Sequence, residues 1–500
     1  MGGAIMLRKI LTGFLGLIVV TIAATWFFWP RTWTVNAPMM NSLFGWGIEA
    51  TPEARLRQTL KLPDGYDLNI YATGLGQARI LRWTSAGDLL VSVPRKGTVL
   101  LIEADKDKSG RGGAIQTLLS GLNKPHGLEI VDGYLLVGET DSVIRVPFDE
   151  ARGETTGPIE RIIRGIPGDG NHWSRTLRRG PDGWIYMQIG SSCNACIEQG
   201  RAVMMRFKPD GSNLETYAQG LRNTVGWDWD PKTGAMWGVD NGRDLLGDNF
   251  PPCELNKIEQ GRFYGWPFLN GSNVPDPDFG NTPDPRIASA TPPAFGFPAH
   301  VAPLSLKFMG PEAPPGLENT ALVTFHGSWN RTRKQGYEVM ALHWNDKGDI
   351  TMTPFLTGFV VNEEARGRPV DTSVGPDGAI YVSDDYAGTI YRISYNAPAV
   401  AKVAPAMPAP LAVGEPSPEA VPADSGAVAR GAALYTRTGC KSCHFSANGL
   451  PMVKLANLSS RYNDKDIAAL LTTPPANMPA FPLTDDQKRD LAAYLLATYK

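Results

Sequence analysis

The 500-residue sequence predicts a mainly β protein in which a six-bladed β-propeller follows an N-terminal transmembrane helix and precedes a small all-α domain. Three features support this prediction: a turn-and-strand unit that occurs six times, a long uncharged segment near the N-terminus, and helix-forming sequence at the C-terminus. Glycine (54 residues) and proline (41 residues) are more frequent than in an average protein, which favours many turns and short strands. The length also favours more than one domain.

Each copy of the repeated unit is a tight turn followed by a short apolar strand. The copies begin at Ser85, Val131, Gly180, Asp230, Leu317 and Gly375. Turns such as Asp-Gly between β-branched and aromatic residues are typical of hairpins, and most spacings fall in the range of roughly 40 to 50 residues expected for one blade. The wider gap before the fifth copy predicts a proline-rich insertion over residues 251–315. We therefore expect a propeller over residues 50–396, with its ligand site at a mouth of the central channel.

The N-terminal segment predicts a membrane anchor. Residues 10–29 contain no charged side chain, and a helix of about 20 residues is roughly 30 Å long, which matches the hydrocarbon core of a bilayer. Arg8 and Lys9 precede this segment, so the positive-inside rule places the N-terminus in the cytoplasm and the rest of the chain on the other side. We interpret residues 1–32 as an uncleaved anchor or, alternatively, as a signal peptide; both interpretations export the remaining chain to the periplasm.

The C-terminal segment carries the attachment sequence for a c-type haem. In Cys440-Lys-Ser-Cys443-His444, the two thiols bond the porphyrin and the adjacent histidine is the proximal iron ligand. No other histidine lies in this segment, so the sixth iron ligand is Met452 or Met478. We favour Met478, because prolines stiffen the loop that contains it just before the last helical segment.

Residues 426–500 resemble a class I cytochrome c throughout, and that family places its axial methionine in a loop like the one around Met478. Residues 397–425, which precede this domain, are mostly alanine and proline and show neither a helical nor a strand period. Such a composition is typical of a semi-stiff linker. We therefore expect a cytochrome c domain that is tethered to the propeller and not packed into its core.

The charge of the chain is almost balanced, with 48 Lys and Arg residues against 50 Asp and Glu residues. A net charge of -2 excludes the broad basic surface expected of a nucleic-acid-binding protein. Basic residues nevertheless concentrate in a few loops: Arg222 beside Asn223, then Arg331, Arg333 and Lys334, then Arg366 and Arg368. Each group is either a solvated surface or part of a polyanion site at the channel mouth, if the groups occupy corresponding points of different blades.

Five histidines besides His444, and the three cysteines outside the haem motif, remain as candidates for chemistry or cross-linking. His172 is the best candidate for a general base, because it lies in a polar loop that enters a strand. Cys193 and Cys196 have the spacing of a haem motif but no following histidine, so a second haem is not expected. We favour a local disulfide between them; pairing of either with Cys253 and a three-cysteine metal site are the alternatives.

The propeller segment resembles the soluble aldose dehydrogenases that depend on pyrroloquinoline quinone (PQQ), and more closely the sugar dehydrogenases of the L-sorbosone dehydrogenase type. The resemblance covers nearly all of residues 60–395. It rests on Lys124-Pro-His-Gly-Leu, on His172 eight residues before Gly180-Pro-Asp-Gly, on Leu221-Arg-Asn, on Tyr264-Gly-Trp-Pro, on His300-Val-Ala-Pro-Leu, on His326-Gly-Ser-Trp-Asn-Arg and on Arg366-Gly-Arg-Pro-Val-Asp.

This resemblance implies roles for particular residues. His172 would be the general base that removes the proton of the sugar C1 hydroxyl while a hydride passes to the quinone. The residues implied to hold the PQQ carboxylates and quinone oxygens are Arg222, Asn223, Arg366, Arg368 and His300, with one of Arg331, Arg333 and Lys334 in place of the family's lysine. Guanidinium groups suit such carboxylates because they bind them bidentately.

The resemblance also implies a calcium ion held by the backbone carbonyls of Gly242 and Arg243, where it would polarise the quinone as a Lewis acid. The sequence departs from the soluble glucose enzymes at two points. Ser191 stands where those enzymes have an acidic residue near the base, and Arg243 stands where they have a proline in the calcium loop. Substrate choice and metal geometry are therefore the implications that these departures affect most.

Together these inferences predict a membrane-anchored quinohaemoprotein that oxidises a sugar or sugar aldehyde at C1. Its electrons would pass from PQQ to the covalent haem c and then to an acceptor protein or quinone of the respiratory chain. The alternative is a noncatalytic propeller that binds a carbohydrate or a protein and carries an electron-transfer cytochrome. The fold alone cannot separate the two functions. The combination of His172 with the basic residues, in one chain with a haem motif, favours the enzyme.

Overall fold

The structure is a computed structural model that describes residues 48, 50–311, 313–395, 425–438, 440, 455, 458–459, 462–472 and 483–499. The predicted N-terminal anchor, almost all of the predicted linker, and Cys443, His444, Met452 and Met478 lie outside these ranges. Within the described ranges, no helix combines the length and the apolar character needed to cross a membrane.

Six antiparallel sheets form the blades of a propeller. Blade 1 contains β2 (Leu81–Trp83), β3 (Leu89–Val93), β4 (Thr98–Ile102) and β5 (Ile115–Leu119); blade 2 contains β6 (Leu128–Val131), β7 (Tyr134–Gly138), β8 (Ser142–Asp149) and β10 (Glu160–Arg164), with β9 (Glu154–Thr155) beside β8. Blade 3 contains β11 (Leu177–Arg179), β12 (Ile185–Ile189), β13 (Val203–Phe207) and β14 (Glu215–Gln219); blade 4 contains β15 (Thr224–Trp229), β16 (Met236–Asp240), β17 (Pro252–Ile258) and β20 (Phe295–Ala299). Blade 5 contains β21 (Pro303–Phe308), β22 (Thr320–Phe325), β23 (Glu338–Trp344) and β24 (Ile350–Leu356); blade 6 contains β27 (Pro369–Val374), β28 (Ile380–Asp384), β29 (Thr389–Tyr395) and β1 (Tyr66–Ala72).

The first strand of the propeller closes the ring. Strand β1 pairs antiparallel with β29, the last strand of the chain's propeller, in a register that sets Tyr66 opposite Tyr395 and Leu68 opposite Ile393. The sixth blade is thereby completed from both ends of the propeller sequence. This arrangement leaves no blade with a missing outer strand, and radial closure protects the short sheet edges.

The six predicted turn-and-strand units each lie between the first and second strands of one blade, so the six-bladed prediction is confirmed. The turns require left-handed backbone at their glycines, as at Gly133 and Gly183, where φ is 79° in both cases. The predicted insertion over residues 251–315 is wrong in its bounds, because β17, β20 and β21 are blade strands within it. Prolines that begin β17 and β21 hide these strands in the sequence, since proline usually marks strand ends.

The true excursion lies between β17 and β20. It contains a short hairpin of β18 (Leu269–Asn270) and β19 (Val274–Pro275), followed by a 3-10 helix, Pro285–Ser289. A second short hairpin, β25 (Val360–Val361) with β26 (Glu364–Ala365), precedes blade 6. Both hairpins form separate two-stranded sheets outside the blades, in the loops that connect blade strands.

The inner strands define the channel mouth. They are β2, β6, β11, β15, β21 and β27, and most neighbouring members of this set pack against one another around the axis. In blades 1 to 5 the inner strand is the first strand of its sheet in chain order, and in blade 6 it is β27, the first strand after blade 5, whereas β1 is the outer strand. All six inner strands therefore run in the same direction and begin at the same mouth. The second strands behind them, such as β3 and β12, are buried along their whole length because neighbouring blades cover both faces.

Four helices complete the described structure. Helix α1 (Glu53–Thr59) precedes β1 and buries Leu56 against blades 5 and 6, whereas α2 (Ser425–Arg437), α3 (Asp464–Thr472) and α4 (Asp485–Thr498) form the C-terminal domain. Helix α4 begins at a capping box in which Thr484 and Gln487 bond each other's backbone N–H groups. Helices α2 and α4 pack together, and Arg430 pairs with Asp490 between them.

The C-terminal domain also contacts the propeller. Its buried residues, among them Leu434, Tyr435 and Leu491, belong to one apolar cluster with Phe250 and Val274 of blade 4. Helix α2 lies beside β20 of the same blade. The prediction of a tethered domain that is not packed into the propeller core stays a prediction, because this contact is made by residues outside the blade sheets and almost all of the linker lies outside the described residues.

Candidate active site

The channel mouth is lined by basic residues that lie immediately before the inner strands. They are Arg79, His126, Arg175, Arg222, His300 and Arg368, one from each blade. Because all six inner strands begin at this mouth, residues that are far apart in the sequence meet here. Arg175, Arg222 and Arg368 are almost entirely buried. The mouth is therefore rich in basic side chains, although Arg79 and Arg222 pair with carboxylates and the total charge of the chain is nearly zero.

His172 lies half-buried in the loop between β10 and β11, at the same mouth. Its Nδ1 is 2.6 Å from the carbonyl oxygen of Ser191. Because a carbonyl only accepts hydrogen bonds, Nδ1 carries the proton and Nε2 keeps its lone pair. Arg175 donates to the His172 carbonyl at 2.9 Å and so holds the backbone of this loop.

Burial and, next in size, the charge of Arg222 lower the pKa of His172 to about 3. Arg175 also lowers this pKa, whereas the Ser191 hydrogen bond and Asp244 raise it. The imidazole is therefore neutral at neutral pH, with a free lone pair on Nε2. A neutral imidazole in this state is able to accept a proton from a bound hydroxyl group.

Arg222 is held by a shell of oxygen atoms. Its Nη1 donates to the carbonyls of Asn241 (3.2 Å) and Gly242 (2.9 Å), and its Nη2 lies 3.4 Å from a carboxylate oxygen of Asp244. Asn194 accepts two further hydrogen bonds from it. These contacts fix the guanidinium beside His172, and its charge remains only partly compensated by the single carboxylate.

Asn223 and Gly190 complete the wall beside the base. The backbone N–H of Asn223 donates to Asp240 at 2.6 Å, and its amide oxygen accepts from Gln188 at 3.3 Å. A Cβ at Gly190 would lie 2.6 Å from the Cβ of His172 and 2.9 Å from the Asn223 amide oxygen. Only glycine therefore permits this close approach of the two site residues.

His300 and Arg368 have buried partners at the mouth. His300 Nε2 lies 2.8 Å from the Gly247 carbonyl, and its Nδ1 lies 3.7 Å from Asp244. Arg368 donates to the carbonyls of His326 (3.2 Å) and Gly327 (3.3 Å). Both predicted site residues therefore lie at the ring described above.

The remaining predicted basic residues are placed differently. Arg331 is buried and donates to the Asp248 carbonyl and to the Asn249 side chain, so it braces the loop after β16. Lys334 bonds the Glu363 carbonyl, Arg333 is exposed, and Arg366 is exposed and pairs with Glu364. Among the described residues, no hydrogen bond or ion pair joins these last three to the buried cluster.

Gly242 and Arg243 were expected to offer carbonyl oxygens to a calcium ion. The Arg243 side chain is turned away from the mouth. Its Nη1 donates to both carboxylate oxygens of Asp276, at 2.6 and 2.7 Å, and its Nη2 donates to Asp278 at 2.8 Å. Only its backbone is therefore free to contribute to an ion. The Asn241 and Gly242 carbonyls and the Asp244 carboxylate already converge on the Arg222 cation, so the donor set is rich in the oxygen atoms that calcium prefers.

The cysteines of the propeller form one local disulfide, between Cys193 and Cys196. The favoured pairing is thereby confirmed. Their sulfur atoms lie close to Glu198, but a bonded pair offers no thiolate to a metal. Cys253 is a buried free thiol in β17, and burial raises its pKa to about 11, which keeps it protonated and unreactive. The alternative pairing and the three-cysteine metal site are therefore excluded.

Several residues at the mouth were given no role in the site on the basis of the sequence. His326 lies 2.8 Å from Asp385, which Arg79 also contacts at 2.6 Å. Trp173, next to the predicted base, lies under the side chains of Arg79 and Lys124. A sequence signal did exist: in five blades a basic residue or histidine precedes the turn glycine by seven to twelve positions, as Arg79 precedes Gly87.

The mouth retains polar atoms that no described protein group satisfies. They include His126 Nε2, Gln188 Oε1 and Arg79 Nε, all inaccessible to solvent. Buried polar atoms are normally paired, so these three atoms are exceptions to that rule. PQQ carries three carboxylates, and the arginine-rich mouth fits such an anion. In the C-terminal domain, Cys440 is buried in the apolar cluster of the helical core.

Comparisons with known proteins agree with this architecture. The TrAA12-like family model matches residues 60–259 and 276–396, and the model for cytochrome c oxidase, cbb3-type, subunit III matches residues 426–495. An uncharacterized protein of Borreliella burgdorferi is 29% identical over 360 residues, covering 68% of this chain and 92% of that protein. A protein of Hypocrea jecorina named pyrroloquinoline quinone-dependent sugar dehydrogenase is 26% identical over 399 residues, covering 67% of this chain and 89% of that protein.

Among solved structures, the Trichoderma reesei protein of Carbohydrate-Active Enzymes family AA12 superposes with a TM-score of 0.60 at 22% identity, covering 70% of this chain and 99% of that chain. This similarity shows the same propeller fold. The family match spans more than half of the sequence, and the separate C-terminal match coincides with the haem motif. The chain therefore belongs to the TrAA12-like family, with a propeller like that of PQQ-dependent sugar dehydrogenases and a cytochrome c domain at its C-terminus.

Proposed function

We propose that this protein is a membrane-anchored quinohaemoprotein that oxidises a sugar or sugar aldehyde at C1 and passes the electrons through haem c to the respiratory chain. One observation carries the proposal: a neutral histidine, His172, is held beside the Arg222 cation in a mouth rich in buried arginine. The same chain carries a haem-attachment motif at Cys440. The relative from Hypocrea jecorina, which is named a sugar dehydrogenase, supports the same reaction class.

In this proposal, Nε2 of His172 accepts the proton of the sugar C1 hydroxyl. The Ser191 carbonyl fixes the tautomer through Nδ1, and Arg175 holds the loop, so the lone pair keeps its direction. When bound, PQQ supplies the electrophilic quinone carbon that takes the C1 hydride. Arg222 and Arg368 lie where guanidinium groups would bind its carboxylates and orient it against His172.

Calcium belongs to the proposal as the ion that would polarise the quinone. Gly242 and Arg243 would hold it through their carbonyls. The Gly242 carbonyl also accepts a hydrogen bond from Arg222 Nη1, so an oxygen atom that would hold the ion is already a contact of this guanidinium.

The electron path follows from the stoichiometry. Sugar oxidation releases two electrons, but a haem iron accepts one at a time, so each turnover requires two successive reductions of the haem. We propose Cys440 and Cys443 as the covalent attachment points, and His444 and Met478 as the iron ligands. The N-terminal segment would anchor both domains at the periplasmic face, near a respiratory acceptor.

The test is a reconstitution of the full-length haem protein with PQQ and Ca²⁺, followed by addition of a panel of aldoses and sugar aldehydes. We expect the absorbance of ferrous haem to appear with at least one sugar and only when PQQ is present. A folded, PQQ-loaded protein whose haem no sugar reduces would contradict the proposal and favour the noncatalytic binding propeller.

A further inference from the structure

We propose that Asn194 is a positioning residue that holds Arg222 in the site, and that the Cys193–Cys196 disulfide keeps Asn194 in place. The loop concerned, residues 191–198, is here called the clamp loop. It follows β12 and lies between the His172 loop and the segment after β16. The inference deepens the proposed function, on which it rests for the role of Arg222.

The contacts of Asn194 join two separate segments of the mouth. Its side-chain oxygen accepts from Arg222 Nη2 at 3.0 Å and from the Asp244 backbone N–H at 2.7 Å. Its side-chain nitrogen donates to the Asp244 carbonyl at 2.9 Å, and its own carbonyl accepts from Arg222 Nε at 3.2 Å. One asparagine therefore bonds both the guanidinium and the loop whose carboxylate pairs with it. Alanine at this position removes three of these four hydrogen bonds.

The clamp loop also contacts the base. The Ser191 carbonyl accepts from His172 Nδ1, and the Ser191 N–H donates to the Arg222 carbonyl at 2.9 Å. The Ser192 carbonyl accepts the N–H of Asn171, next to the base, at 2.8 Å. A single short loop thus sets the relative positions of the proton acceptor and of the nearest cation. This is the geometry that preorganised sites require, because small displacements of reacting groups cost large factors in rate.

The disulfide brackets Asn194 directly. Cys193 precedes it, Cys196 lies two positions after it, and Glu198 closes the far end by accepting from Ser191 Oγ at 3.0 Å and from the Ser192 N–H at 2.9 Å. A half-buried loop without regular secondary structure loses much conformational freedom on folding. A covalent cross-link reduces that freedom in the unfolded chain and so favours the ordered loop.

Displacement of Arg222 has a measurable electrostatic result at His172. The charged groups that face the imidazole are Arg222 and Arg175, which lower its pKa, and Asp244, which raises it. When Asn194 is truncated, the guanidinium is less restrained and its effect on His172 weakens. The pKa of His172 then rises from its lowered value, while the burial of the ring is unchanged.

The experiment compares Asn194→Ala with Asn345→Ala in the full-length protein. Asn345 is a matched control, because its side chain also makes three hydrogen bonds, to Asp349 and Lys347, but in an exposed turn of blade 5. Histidine NMR titration of the cofactor-free protein provides the first measurement, with the His172 resonance assigned through His172→Gln. We expect the midpoint of the His172 titration near pH 3 in the wild type and at least one pH unit higher in Asn194→Ala, which is an at least tenfold stronger proton affinity, so the titration extends down to about pH 2.

PQQ binding and kinetics provide the second measurement. We expect Asn194→Ala to weaken PQQ binding about tenfold and to lower kcat about tenfold or more, with the sugar KM within twofold of the wild type. Cys193→Ser combined with Cys196→Ser should change the same quantities in the same direction, which keeps the test valid if the first variant folds poorly. The control Asn345→Ala should match the wild type in all of them.

Unchanged His172 titration and unchanged PQQ affinity in Asn194→Ala would overturn the inference, as would a loss of thermal stability with no change in either quantity. The titration needs neither PQQ nor sugar. It therefore tests Asn194 even if the wild type oxidises no sugar, an outcome that would contradict the proposed function but leave the positioning role intact.

Discussion

Replacement of His172 by glutamine separates a catalytic role from a structural one. The change removes the basic nitrogen, but the glutamine amide is able to donate to the Ser191 carbonyl that Nδ1 now contacts. A positioned general base contributes about 10² to 10⁴ in rate, which corresponds to about 3 to 5 kcal/mol of transition-state stabilisation. Loss of one neutral hydrogen bond costs only about 1 kcal/mol, too little to unfold a domain of this size.

The pH dependence of the same variant has a definite sign. The pKa of His172 is lowered to about 3 in the folded protein, below its ordinary value, so between these two pH values the histidine is protonated in the unfolded chain but not in the folded protein. Protonation of His172 in the unfolded chain therefore decreases the free energy of unfolding of the wild type as pH falls below about 6.5, the ordinary histidine value, and this decrease ends near pH 3. His172→Gln has no such histidine, so its free energy of unfolding should fall less steeply across this range.

The assay uses stopped-flow absorbance of the haem after sugar is mixed with PQQ-loaded protein. We expect His172→Gln to retain PQQ and a normal haem spectrum but to reduce its haem at least a hundredfold more slowly than the wild type. His343→Gln is the matched control, because His343 lies half-buried on β23 of blade 5, bonded to Thr320 and Thr353. Wild-type rates in folded His172→Gln would refute the assignment of the base.

Three further predictions concern other parts of the chain. Arg243→Ala leaves the buried carboxylate of Asp276 without its arginine partner, so we expect a loss of about 3 to 5 kcal/mol in the free energy of unfolding. Denaturant titration measures this loss, and a value below about 1 kcal/mol would contradict the prediction. Met478→Ala should abolish the low-spin haem spectrum and lower the reduction potential while the haem stays covalently bound. Full-length protein with Cys440→Ala and Cys443→Ala should still oxidise sugar with a small-molecule acceptor but should lose transfer to a cytochrome acceptor; retained transfer would remove the haem from the electron path.

Features encoded by short stretches of sequence were predicted well. The turn-and-strand units fold locally, because glycines such as Gly133 and Gly183 adopt the left-handed backbone that each hairpin needs. The Cys193–Cys196 disulfide likewise joins residues only three positions apart. Such features require no information about the rest of the fold.

Features that depend on contacts between blades were not predicted. The sequence contains no direct sign that Asn194 meets Arg222 and Asp244, because these residues come from segments about 28 to 50 positions apart. The bounds of the blade 4 excursion were missed for a related reason, since only sheet pairing distinguishes β17 and β20 from the loops around them. The contact of the haem domain with Phe250 likewise depends on how two folded units meet.

Arg366 and Arg368 show which properties of a residue the sequence predicts and which depend on the tertiary structure. The sequence by itself determined that both belong to one short basic motif ahead of the sixth repeat, and it assigned them the same role. The tertiary structure decided that Arg368, immediately before the inner strand β27, is buried at the mouth, whereas Arg366 follows the β25–β26 hairpin and is exposed beside Glu364. The physical reason is that local backbone preferences determine repeats and motifs. The burial and the hydrogen-bond partners of a side chain depend instead on the inner strands, because these strands begin at one mouth only after six blades have closed around one axis.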